Sequence, residues 1–479
     1  MPRPCANEGE LRTDMNPNGG DEAARYEAEA FLYGRLNYER QGLPGGSQGL
    51  GLRRMRRLMR ALGDPQDSLR IVHVAGSKGK GSTSTLLAAG LSAAGYRTGL
   101  FCSPHLHTIR ERYRIDGDMI AERTFLDLTQ ELRPFVERID QDDPDNVPLT
   151  FFEITTAMGI VHFARQKCQA VVLEVGMGGR LDSTNIVRPV ISVITSISLE
   201  HTRQLGATTY LIAGEKAGIV KRNGNVVSGV RDPDARRHIR EVAAVRHADL
   251  KEVDRDYSFT EILEPATVRS YRNAMIDVRT WAGSWNKVAV PFLGPHQAEN
   301  SALALATFDR LGELGSVVKA GDVERGWKNL QLPARVEVRE IGGTTVVVDG
   351  AHSPASAEAL ASTLERHFRK PDGRQVLVFG TTREKDLKGQ LRALLPQFDE
   401  VVVTRYLSNP RFRPIDETCQ AVADLGYVVN CVHEDPAAAL RAAVELARPH
   451  GRVVVTGSLF LAAEVRETLE HWRETPPDT

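Results

Sequence analysis

Val74-Ala75-Gly76-Ser77-Lys78-Gly79-Lys80-Gly81-Ser82-Thr83 separates an apolar run, Leu69 to Val74, from a segment, Thr83 to Ala94, whose Leu86, Leu87, Leu91 and Ala94 share one helical face. The order predicts strand, glycine loop, helix. In that context glycines let backbone N–H groups converge on an anion, and the helix N-terminus adds its positive dipole end. The stretch is read as a cradle for the phosphates of ATP. Gly76, Gly79 and Gly81 allow the close approach, Lys80 supplies a mobile charge for the outer phosphates, and Ser82 or Thr83 supplies a hydroxyl near a metal. Alone, such a loop could equally be a glycine-rich turn with a solvated lysine. The strand and helix around it favour the cradle.

Working outward, apolar β runs alternate with helical segments from Ile71 to Val230, with Ala170–Val175, Val190–Ile197 and Asn225–Val230 as strands. Such alternation implies a parallel sheet flanked by helices. Glu22 to Asn37 reads as helix, Gln41 to Gly51 as a glycine-rich loop, and Leu52 to Leu62 as a basic amphipathic helix whose arginines form a solvated face. Residues 268–290 suggest a small side sheet, and Asn300 to Leu314 a helix. Leu332-Pro333-Ala334-Arg335 reads as a connection to a second α/β unit with strands at Val346–Val348, Val376–Phe379, Glu400–Thr404 and Val453–Thr456. That half has no G-x-G-x-x-G, so it is not read as a dinucleotide site. The fold class expected is α/β: an N-terminal P-loop-type ATPase domain with a parallel sheet, and a smaller C-terminal Rossmann-like domain. The expected divisions are a disordered tail over 1–21, a first domain over 22–331 and a second over 332–479.

Composition narrows the classes. The 479 residues carry a formal net charge of −1, which argues against broad attraction to nucleic acid or membrane. Five cysteines with no paired spacing read as reduced thiols, and no apolar run approaches a membrane span. The N-terminus lacks the apolar stretch of a signal peptide. A cytoplasmic monomer is expected.

Further segments carry polar groups at strand or helix ends. Ser103-Pro104-His105-Leu106 follows the run that ends near Phe101. Glu153, in Phe151-Phe152-Glu153-Ile154, is one carboxylate at an apolar helix start, either paired or metal-bound, or a charge favoured by the helix dipole. Glu174-Val175-Gly176-Met177-Gly178-Gly179-Arg180-Leu181-Asp182-Ser183-Thr184-Asn185 ends a strand in a carboxylate and a glycine loop. His201 follows another apolar run and is a ligand or a hydrogen-bonding residue. Lys216 sits among small and apolar residues, or snorkels to solvent.

Together these segments resemble the folylpolyglutamate synthase and dihydrofolate synthase family, a branch of the Mur-type ATP-dependent amide ligases. The loop G-x-x-G-K-G-S, S-P-H-L followed by Glu111-Arg112, the E-V-G-x-G-G-R-L-D-x-T-N stretch, E-K-A-G-I around Lys216 and Asp349-Gly350-Ala351-His352-Ser353-Pro354 carry the resemblance over residues from about 22 to 468. Gly81 after the lysine favours the folate branch over the cell-wall branch.

The resemblance implies ATP-dependent joining of L-glutamate to a folate or dihydropteroate carboxylate. It implies that Asn300, Arg335 and Asp349 hold the nucleotide, with Asp349 on the ribose and His352 near the phosphates. Ser103, Glu153 and His201 would hold Mg²⁺, and a carbamylated Lys216 a second ion. Pro104, His105, Arg112 and Asp182 would face the folate; Lys80, Lys216 and His352 would be catalytic. A cell-wall precursor ligase and a non-catalytic ATP-binding regulator are the alternatives. The chain departs from the family at Ser77, Lys78, Glu200, Ala334 and Ser353, where Thr, Asn, Asp, Gly and Asn are usual.

Overall fold

The computed structural model describes residues 19–38, 51–143, 147–264 and 271–474. Its first unit is built on eight strands: β1 (Ile71–Ala75), β2 (Thr98–Phe101), β3 (Tyr113–Ile115), β4 (Asp118–Met119), β5 (Ala170–Glu174), β6 (Ile191–Ile194), β7 (Asn225–Ser228) and β8 (Asp249–Glu252). They are ordered β4-β3-β2-β5-β1-β6-β7-β8. All neighbours pair in parallel except the β2–β3–β4 hairpin edge.

The strands read as unbroken apolar runs because both faces are covered. On β1, Val72 and Val74 enter one core with Leu86, Leu87 and Leu91 of the helix Lys80–Ala93. Ile71 enters the opposite core with Phe151, Ile154 and Met158 of the helix Phe151–Arg165. Each such side chain taken fully out of water contributes roughly 1.5–3 kcal/mol. A side sheet follows, β9 (Ser258–Leu263), β10 (Ala274–Arg279) and β11 (Ser284–Val290), antiparallel with β10 central. Sequence reading placed a sheet over 268–290 and missed β9, which alternates half-buried and exposed positions and has no apolar run. The sheet shares its core with the helix Pro295–Glu313, which begins five residues before the predicted start because Pro295 supplies its first turn.

The second unit has β12 (Glu337–Ile341), β13 (Thr344–Val348), β14 (Gln375–Phe379), β15 (Glu400–Val403), β16 (Cys431–Val432) and β17 (Arg452–Thr456), ordered β12-β13-β17-β14-β15-β16. Only β12 runs antiparallel to its neighbour. The N-terminal helix spans Gly19–Tyr33, starting inside the segment expected as a tail and ending short of Asn37. Residues 1–18 and most of the glycine-rich loop expected over 41–51 lie outside the described residues. Among the described residues, no helix is long and apolar enough to cross a membrane.

Candidate active site

The phosphate loop leaves the C-terminal end of β1, at the centre of its sheet, with β5 on one side and β6 on the other. Ligands of open α/β sheets bind at such ends, where consecutive connections leave to opposite sides. Gly79 caps the helix Lys80–Ala93 at φ +83°, a left-handed conformation that favours glycine. A Cβ there would lie 2.2 Å from Asn300 Oδ1, so Asn300 closes directly over the loop. Gly76 is equally constrained, since a Cβ would lie 1.8 Å from Thr195 Oγ1. Ser77 to Ser82 line a cleft of about 1580 Å³ between the two units. Gly76 and Thr83 lie behind that surface; Thr83 is buried, its hydroxyl 3.5 Å from Asn300 Oδ1.

Register then decides which carboxylate meets the loop. β2 pairs Phe101 with Leu173 of β5, and β1 pairs Val74 with Glu174. Glu174 therefore emerges beside both Ser103 and the start of the phosphate loop. Ser103 N donates to Glu174 Oε2 at 3.2 Å, and a Cβ on Gly81 would sit 3.8 Å from both Glu174 oxygens. Burial pushes Glu174 up to about 7, against the pull of Lys80, the Ser103 N–H and Arg335.

Glu153, the carboxylate expected among the metal ligands, also lines the cleft, but its hydrogen bonds are made at the start of its own helix. It closes a capping box at the start of its helix: Thr150 N and Oγ1 donate to its Oε2 at 2.9 and 2.8 Å, and Thr150 Oγ1 accepts from Glu153 N. It is also paired with buried Arg54, Nε to Oε1 at 3.4 Å. The helix-start reading of Glu153 is the one this geometry supports.

Five cations gather over the loop. Lys80 Nζ and Lys216 Nζ each donate to Gly76 O at 2.9 Å, and Lys216 also donates to Glu200 Oε1 at 3.0 Å. Lys216 is 1% exposed, not snorkelling. Burial first, then the Lys80 charge, brings it down to about 8. Lys78 approaches Glu200 from the other side; Arg335 and Lys385 reach in from the second unit, and their charges add to burial in lowering Lys78 and His352 respectively. His201 lines the same cleft beside Glu200; burial outweighs that carboxylate and holds the imidazole below its usual value.

His352 is also in the cleft. Its Nδ1 lies 2.9 Å from Gly350 O, and a carbonyl only accepts, so Nδ1 carries the proton. Burial, then Lys385, pushes it down to about 3, so the ring is neutral.

The structure places three of the expected site residues as follows. Arg112 does not line the cleft: it is fully buried over the Phe151 ring and its Nε donates to His105 Nδ1 at 2.9 Å, so it orients His105. Asp182 lines the cleft but accepts from Met177 N and Thr184 N, bracing its own glycine loop. Asp349 accepts from Val336 N at 2.9 Å and Ala351 N at 2.8 Å, tying the inter-domain connection to the turn after β13; a ribose hydroxyl would share those oxygens. Pro104 and His105 line the cleft, and Asn300 and Arg335 converge on it from opposite units.

Among the described residues, no group of three or more His, Cys, Asp and Glu side chains gathers as a metal cluster. Ser103 and Glu174 nevertheless sit side by side at the loop, and their oxygens are of the type that suits a hard cation keeping water and phosphate in its shell. Glu174, Glu200 and Lys385 were passed over as site residues in the sequence. The signal for Glu174 was present: a carboxylate ending an apolar strand just before a glycine loop.

Comparison with known proteins agrees with this geometry. Residues 74–308 match the Mur ligase middle domain and residues 334–459 the Mur ligase glutamate ligase domain. The chain is 31% identical, over 93% of its length and 99% of the relative's, to the dihydrofolate synthase/folylpolyglutamate synthase of Bacillus subtilis (strain 168). Among solved structures it resembles the Mycobacterium tuberculosis folylpolyglutamate synthase complexed with ADP and AMPPCP, at TM-score 0.82 and 31% identity, covering 93% of this chain and 98% of that one. It also resembles E. coli FolC in complex with DHPP and ADP, at TM-score 0.75 and 28% identity, covering 93% and 98%.

Proposed function

The chain belongs to the folylpolyglutamate synthase and dihydrofolate synthase family, and on that premise we propose how its cleft joins L-glutamate to a folate or dihydropteroate carboxylate at the expense of ATP. It is an ATP-dependent amide ligase. The observation that carries the mechanism is the convergence of the phosphate loop, Glu174 and the lysines at the strand ends of one unit with Arg335, His352 and Lys385 at those of the other.

A carboxylate oxygen of the folate attacks the γ-phosphorus of ATP, the β–γ P–O bond breaks, and ADP leaves. The glutamate nitrogen attacks the acyl carbon, the bond to phosphate breaks, and a proton is released with it. Phosphoryl transfer asks the protein mainly for positioning and charge neutralisation. Lys80 swings from Gly76 O to the outer phosphates, and the loop N–H groups hold the others. Asn300 and Arg335 hold the nucleotide from either side. His105, oriented by Arg112, and Pro104 face the folate arm of the cleft, with Asp182 shaping its wall. Neutral His352, its Nδ1 proton held by Gly350 O, would offer Nε2 as an acceptor, not as a cation. Ser103, Glu174 and His201, which line the same cleft, would hold Mg²⁺, and that ion would neutralise developing phosphate charge.

We further propose that Lys216 is carbamylated. A carbamate forms when a neutral amine attacks CO₂ and gives up a proton. Burial among cations supplies that neutral amine near physiological pH, and the product is an anion able to face a second metal.

The nucleotide product decides the mechanism. Enzyme, ATP, magnesium, dihydropteroate or tetrahydrofolate, and glutamate are incubated, the nucleotides separated by chromatography and the pterins analysed by mass. ADP in step with one added glutamate is expected. AMP as the stoichiometric product refutes the acyl phosphate route. Closure of both units on one ATP excludes water from that intermediate.

A further inference from the structure

Two of the positions at which the chain departs from its family, Lys78 and Glu200, lie against each other. Glu200 sits between two lysines, Oε1 3.0 Å from Lys216 Nζ and Oε2 3.8 Å from Lys78 Nζ. The extra methylene of glutamate relative to aspartate gives it that reach. The backbone of Lys78 is fastened independently: its N–H donates to Ser196 Oγ at 3.1 Å, and its carbonyl accepts from Thr195 Oγ1 at 2.6 Å and Ser196 Oγ at 3.0 Å. With the backbone fixed, the contact with Glu200 holds the half-exposed ammonium at the lining of the cleft. There it meets the charges of Lys80 and of Arg335 from the second unit. Cations this close repel unless an anion lies among them, and the anion brought to this loop is the outer end of ATP.

The pair also answers a problem raised by Lys216. Once that side chain becomes a carbamate, Glu200 faces a negative group where it had faced an ammonium. Lys78, in direct contact, and the Lys80 charge then remain to neutralise Glu200. An asparagine at 78 could not do so.

We propose that Lys78, positioned by Glu200, is a second loop cation for the terminal phosphate of ATP, and that the two residues act as one charge pair. This rests on the ATP-dependent ligation proposed above. The test is calorimetric titration of the full chain, with magnesium, by a non-hydrolysable ATP analogue and separately by ADP. Lys78→Asn should weaken the analogue about tenfold and ADP by less than about twofold, because only the former carries the γ-phosphate. Lys78→Arg should keep the analogue within about threefold. Glu200→Asp should weaken the analogue about fivefold, and the double change should be no worse than Lys78→Asn alone, since the guide has lost what it guides. Each variant is also melted without nucleotide, to confirm that it is folded.

Equal weakening of both nucleotides by Lys78→Asn, or losses that multiply in the double variant, overturn the proposal. Wild-type protein that binds neither nucleotide overturns the ligase reading and this inference with it.

Discussion

Exchanging either of two buried carboxylates for its amide separates a structural from a catalytic role. Glu153→Gln removes the charge paired with Arg54, whose side chain is 9% exposed against 4% for the carboxylate. Breaking a buried pair by neutralising one partner costs about 3–5 kcal/mol. The lower figure applies here, because Arg54 keeps further partners and the amide oxygen still accepts from Thr150 N. Burial pushes Glu153 up against the pull of Arg54 and Thr150, which offsets part of that cost, but the amide also takes the counter-charge from the buried Arg54 guanidinium, whereas Glu174 accepts only from a backbone N–H in its closest contact. A loss of about 3 kcal/mol in a domain of this size lowers Tm by roughly 6–12 °C.

Glu174→Gln should do the opposite. Burial raises the folded value from 4.5 to about 7, so the ionised carboxylate disfavours the fold. Apo stability is lost as pH rises from about 4.5 to about 7, by on the order of 3 kcal/mol. At pH 8 the apo variant should therefore melt no lower than wild type, while its magnesium-dependent turnover falls about a hundredfold or more. The assay is a thermal melt at pH 8 without nucleotide, beside ADP release titrated with magnesium. If Glu153→Gln leaves Tm unchanged and raises the magnesium requirement, while Glu174→Gln leaves turnover intact, the assignment of roles is refuted.

Gly79→Ala places a methyl 2.2 Å from Asn300 Oδ1 at φ +83°; strain alone costs about 1–2 kcal/mol, and displacement of Asn300 should weaken ATP-analogue binding by about tenfold or more, read by calorimetry. Lys216→Ala should be nearly inactive and partly restored by added acetate or formate, which supply a carboxylate where the carbamate would lie; absence of rescue, together with an intact-mass spectrum and ¹³CO₂ NMR showing no carbamate, counts against the modification.

Several features were legible in the sequence because they depend on contiguous residues. The cradle needs glycines, a lysine and a helix start within ten positions of one another, and the flanking apolar run marks its strand. The second unit was likewise readable from runs such as Val346–Val348 and Val453–Thr456, which are apolar throughout because helices cover both faces. β9 was not, because an edge strand with one half-exposed face carries little hydrophobic signal.

What tertiary structure alone decided is which distant groups meet. Glu153 and Glu174 are both carboxylates in apolar surroundings, and although Glu174 ends a strand before a glycine loop, neither local sequence says which one meets the phosphate loop. The placing of β5 between β2 and β1, with Phe101 against Leu173 and Val74 against Glu174, puts Glu174 beside the loop and leaves Glu153 to its capping box. In the same way, Arg112 was legible only as a charge following S-P-H-L, and packing turned it inward to hold His105. The contact between Lys78 and Glu200 spans two loops that follow different strands, β1 and β6. Strand order and register are set by the burial of whole faces, a property of the assembled sheets, and charges at the strand ends are carried to their partners by that assembly.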